Sequence, residues 1–125
     1  MNKRAIIAKE INNGYFTSWC WANGDYASMG SILYKYFLDS DIVDELISYR
    51  SILGLFTKTA EDKDKMLSGN FAKLSNGIYV KYDDGAQKSV VGGLNGFMRS
   101  VNEILEQEVS HMYIFHNGIW RMYKK

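Results

Sequence analysis

Two histidines and a single cysteine limit the chemistry open to this chain. His111 and His116 stand five residues apart on the approach to Asn117–Gly118, a spacing that sends the two rings in different directions rather than towards one metal ion. Cys20 is flanked by Trp19 and Trp21, not by a cation or a histidine that would hold a thiolate, so it reads as a buried structural thiol. Being alone, it has no internal disulfide partner. Asp83 and Asp84 are neighbours at a strand end, where adjacent side chains face apart, so they read as a solvated turn rather than a catalytic carboxylate pair. No catalytic set converges. The expectation is a non-enzyme with no catalytic residue, no metal and no cofactor.

Two features suit binding instead. Tyr15, Trp19 and Trp21 alternate onto one strand face, where flat rings offer a stacking surface to a nucleobase, or alternatively pack a core or a subunit contact. In QKSVVGGLNGFMRS, Gly92 and Gly93 precede a helix start and can present backbone N–H groups to a phosphate, with Lys88 and Arg99 as counter-charges. That segment matches neither GxxxxGK[ST] nor GxGxxG, so a plain connecting loop stays open as the other reading.

The elements that must position these residues follow from periodicity. Ile6, Ile7 and Ile11 predict a short N-terminal helix over 3–11, ended by Asn12, Asn13 and Gly14. Strands are predicted over 15–21, 70–75, 78–82, 110–115 and 119–124, and helices over 28–38, 41–49 and 96–108. Asp25 or Ser28 would cap the first of these helices, Asp39 to Asp41 the second and Asn95 the third. Asn76–Gly77 reads as a two-residue hairpin turn and Asn117–Gly118 as a type I′ turn. The mixed-charge run KTAEDKDK, residues 58–65, is expected to be an exposed loop. The sum is an α+β fold, an antiparallel sheet with hairpins packed against three helices in one layer.

Composition narrows the partners. Lys and Arg number 15 against 14 Asp and Glu, so no overall field draws nucleic acid or an anionic membrane, and any polyanion site must be a local patch. At 125 residues and 46% hydrophobic, one domain spanning 1–125 can bury its own core. The apolar runs fall far short of the ~18 residues of a membrane span, and no signal-peptide core is evident, so a soluble cytoplasmic protein is expected.

The run NGDYASMGSILYKYFLDSDIVDELISYRSILGLF resembles a pattern of small phage and prophage proteins, through Gly24, Tyr26, Gly30, Leu33, Tyr36, Val43, Leu46 and Ile47. Tyr113, Ile114, Phe115, Gly118 and Trp120 look like the same group's closing hairpin. Among named families the whole is most similar to the Thoeris anti-defence proteins of the first type. The chain departs from the pattern at Arg50, where Gly is frequent, and at Asp83–Asp84, where Arg-Asp is frequent. The resemblance implies a protein of the infected or lysogenic bacterial cytoplasm that sequesters a cyclic nucleotide or ADP-ribose-derived immune signal without turnover. By residue type, and not from the resemblance, the candidate ligand contacts are Trp19 and Trp21 for stacking, Lys88 and Arg99 for phosphates, and Gly92 and Gly93 for backbone donors. The rival expectation is a protein-directed inhibitor of a host immune effector, similar in role to anti-CRISPR proteins. Eighteen aromatic side chains exceed what one small core readily hides, so a homo-oligomer is expected, with neither membrane nor nucleic acid as a partner.

Overall fold

A computed structural model describes residues 3–57, 70–82 and 97–125. The strands are β1 (Ala5–Ile11), β2 (Gly14–Cys20), β3 (Ser51–Phe56), β4 (Asn70–Lys73), β5 (Tyr79–Tyr82), β6 (Phe97–Met98), β7 (His111–His116) and β8 (Ile119–Lys124). They form one sheet in the order β4-β5-β3-β2-β1-β7-β8, with β6 also against β2. The helices are α1 (Ser31–Tyr36), α2 (Ser40–Ile47) and α3 (Val101–Leu105), and a π-helical turn, Tyr26–Gly30, leads into α1. The α+β class holds, and the sheet is mixed: β1 runs parallel to β7 and β2 parallel to β3. Parallel neighbours need a crossover, which the π-turn, α1 and α2 supply between β2 and β3.

The N-terminal helix expected over 3–11 is instead β1, a central strand between β2 and β7. Ala5, Ile6, Ile7 and Ala8 are all fully buried, so the segment is apolar on both faces and shows no strand alternation. A short apolar run of that kind fits either period, and β-branched isoleucines between two paired neighbours favour the strand. β3 was not expected; the strand is irregular at Gly54, shifting register against β5 between Ile52 and Gly54.

The helix expected over 96–108 shortens to α3. Phe97 and Met98 are drawn into β6 beside Phe16 and Tyr15, and the cap is Ser100, whose Oγ accepts from the Glu103 N–H at 3.2 Å. Asn95 and the run 58–65 lie outside the described residues. Asp39 caps α2 as expected, accepting from the Asp41 N–H at 3.3 Å.

The sheet buries both faces. On the first, α1, α2 and the π-turn cover Ile7, Cys20, Ile52, Val80, Tyr113 and Trp120. On the second, α3 packs with Ile6, Ala8, Trp19, Met98, Met112 and Ile114. Helices thus occupy both sides rather than one layer. The second face over β3, β5 and β4 is where the polar and aromatic side chains of interest gather.

Candidate functional site

Alternation along β2 puts Tyr15, Thr17, Trp19 and Trp21 on the second face, as expected, and Ser18 and Cys20 on the first. Trp19 and Trp21 stack, with ring centres 5.3 Å apart and planes 18° from parallel. Trp19 is buried, whereas Trp21 is 40% exposed. The outer indole is held by its own hydrogen bond: Trp21 Nε1 donates to Ser51 Oγ at 2.6 Å, and its backbone N–H donates to the Ile52 carbonyl at 3.0 Å. A planar surface is therefore fixed in orientation before any ligand arrives, which reduces the entropy that binding must overcome.

Beneath it the polar pairing is incomplete. Thr17 Oγ1 and Trp19 Nε1 are both buried with no hydrogen-bond partner. Each such group costs about 1–3 kcal/mol of folding stability.

Across β3 the same face continues onto β5 and β4. Leu55 and Val80 belong to the first-face core, so their neighbours Gly54, Phe56, Tyr79 and Lys81 point the other way. Phe71 pairs across the strands with Lys81, and Lys73 with Tyr79. Lys81 Nζ lies 5.5 Å from the Phe71 ring centre and Lys73 Nζ lies 5.8 Å from that of Tyr79. Phe56 meets Phe71 at 6.2 Å. Among the described residues neither lysine pairs with a carboxylate. Two ammonium groups thus sit over half-buried rings on the face that carries the indole pair, two and three strands away from it.

Of the expected contacts, the structure brings Trp19 and Trp21 together and separates Arg99 from them. Arg99 follows β6, which pairs with Tyr15 and Phe16 at the opposite end of β2, roughly 17 Å along the strand from Trp19 at ~3.4 Å per residue. Arg99 is exposed, and its backbone N–H donates to Glu103 Oε2 at 2.7 Å in the cap of α3. Lys88, Gly92 and Gly93 lie outside the described residues.

Cys20 is fully buried and donates to the Ala22 carbonyl at 2.6 Å. Burial raises its thiol from 9.0 to about 12, which the bond to Ala22 only partly offsets, so no thiolate nucleophile exists near neutral pH. The histidines point to opposite faces of β7. His111 shares a 2.7 Å hydrogen bond with Ser110, and burial, then Lys124, holds its ring below the ordinary value, while His116 pairs with Glu10. Among the described residues no three metal-ligating side chains cluster, and no helix is long and apolar enough to cross a membrane.

No family model, characterised protein or solved structure matches the chain. The geometry of the sheet face is therefore the ground on which function is argued.

Proposed function

We propose that the protein binds a nucleotide immune signal of the cyclic ADP-ribose type and holds it without chemistry, the base resting on Trp21. The observation that carries this reading is the Trp19–Trp21 stack, one ring buried and the next open to a further planar partner. A stacked base is worth ~1–3 kcal/mol, and a preformed platform keeps most of it. Sequestration of this kind needs affinity alone. The resemblance to Thoeris anti-defence proteins supplies the ligand class and the setting, a phage or prophage product acting in its bacterial host.

Calorimetry against cyclic ADP-ribose isomers and cyclic oligonucleotides tests the reading. Saturable heat with one of them, and recovery of that ligand intact after heat denaturation, is the expected result. A converted ligand would make the protein a hydrolase. Absence of heat and of thermal shift across the set, with retention of a host effector protein on the immobilised chain, would transfer the function to protein-directed inhibition.

A further inference from the structure

Net charge gives this chain no general attraction for anions, yet Lys73 and Lys81 stand on adjacent strands of one face without a carboxylate between them. Their pairing is crossed: Lys81 lies opposite Phe71, and Lys73 opposite Tyr79. Each stem lies against a ring on the neighbouring strand, which fixes the ammonium at the surface instead of leaving it to sweep through solvent. The two lysines are diagonal neighbours across the strands, and an anion between like charges so placed would relieve their repulsion. Arg99 is at the far end of β2 from the indoles.

The distance to the indoles sets what the anion belongs to. Lys81 on β5 is two strands from β2, about 10 Å, and Lys73 on β4 is three strands away, about 14 Å, at ~4.8 Å per strand. Those separations suit a base on Trp21 joined through its ribose to phosphates at the lysines.

We propose that Lys73 and Lys81 form the phosphate subsite of the ligand site, so that the chain selects the base–ribose–diphosphate unit of a nucleotide over a bare nucleoside. This rests on the reading of Trp21 as the base platform and assigns the phosphate contacts of the same ligand. The rings of Phe71 and Tyr79 act as positioning groups for the two ammoniums.

The test uses the full chain and three probes, adenosine, ADP and cyclic ADP-ribose, titrated calorimetrically into wild type, Lys73→Met, Lys81→Met, the double variant and Trp21→Ala. Methionine keeps the apolar stem over the ring and removes the charge. The expected result is that wild type prefers ADP to adenosine, and that each lysine substitution weakens ADP and cyclic ADP-ribose by roughly 3- to 10-fold. Adenosine binding should be unchanged in these variants, which also shows that they are folded, and Lys81→Arg should restore ADP. Raised salt should narrow the preference in wild type and not in the double variant. If the lysine variants keep the wild-type ADP-to-adenosine ratio while Trp21→Ala loses both ligands, the phosphate assignment is wrong and the base platform stands. If wild type binds none of the three, the platform fails and the subsite fails with it.

Discussion

Thr17→Val should make the protein more stable, an unusual outcome for a core substitution. Thr17 is 1% exposed, lies opposite Ala8 of β1, and its hydroxyl is buried without a partner. The hydroxyl forfeits its hydrogen bonds to water on folding, at a cost of about 1–3 kcal/mol. Valine has the same branching and the same preference for a strand, so the backbone and χ1 need not change. The added methyl contributes up to ~0.8 kcal/mol of apolar burial. The net expectation is a gain of about 1–3 kcal/mol, or ~3–6 °C in Tm for each kcal/mol in a chain of this size. Urea unfolding followed by tryptophan fluorescence reads it as a higher midpoint at unchanged slope. Thr17→Ser, which keeps the hydroxyl and loses the methyl, should fall below wild type by ~1 kcal/mol. A Thr17→Val midpoint at or below wild type would refute the reasoning, since it would mean that the hydroxyl is satisfied in solution.

Tyr113→Phe should act in the opposite direction. The Tyr113 hydroxyl donates to the Gly24 carbonyl at 2.8 Å in a fully buried position, so its removal strands that carbonyl and costs about 1–3 kcal/mol in the same assay; an unchanged midpoint would contradict this. Cys20 gives an alkaline signature. Its folded-state value is raised to about 12, so the folded chain keeps a proton that the unfolded chain releases from pH 9 upward. Its contribution is complete below pH 9 and is lost as pH rises towards 12. Wild type should therefore lose stability over that range more steeply than Cys20→Ala, and parallel profiles would exclude the thiol as the cause. We further propose self-association. Leu38 and Ile119 are 61% and 60% exposed, next to the residues joined by the Trp120 Nε1 to Phe37 carbonyl hydrogen bond. Light scattering should report a mass above 14.4 kDa at micromolar concentration, and that monomer mass throughout would reject the oligomer.

What was legible in the sequence was local. Asn117 and Gly118 take positive φ of 51° and 78°, as a type I′ turn demands, and the alternation through Trp19 and Trp21 placed both indoles on one face. Tertiary context decided the rest. In the β4–β5 hairpin only Gly77 has positive φ, and Leu74, not Ser75, closes the loop, with its N–H on the Ile78 carbonyl at 2.8 Å. Asn76 is held by the Tyr36 carbonyl at 2.9 Å, a contact from α1 that no local pattern contains. The three-residue loop slips the register by one from the two-residue turn expected. With the expected turn Lys73 would have faced Val80, and Phe71 would have faced Tyr82. The observed slip is what sets each lysine opposite a ring. The alternation in NFAK and YVKY was a readable signal for a lysine and aromatic face, but the pairing was not. Likewise β1 was unreadable as a strand because both its faces are buried, and because one of its paired neighbours, β7, arrives from more than a hundred residues away.

The indole N–H signals test the central claim most directly, since the chain has three tryptophans and the sheet divides them. Trp19 and Trp21 share the second face, whereas Trp120 is locked to the Phe37 carbonyl at 2.8 Å within the first. In a two-dimensional spectrum of 15N-labelled protein titrated with cyclic ADP-ribose, the Trp21 and Trp19 signals should move together and saturate while that of Trp120 stays in place. A saturable shift confined to Trp120, or three signals that never move, would contradict the account.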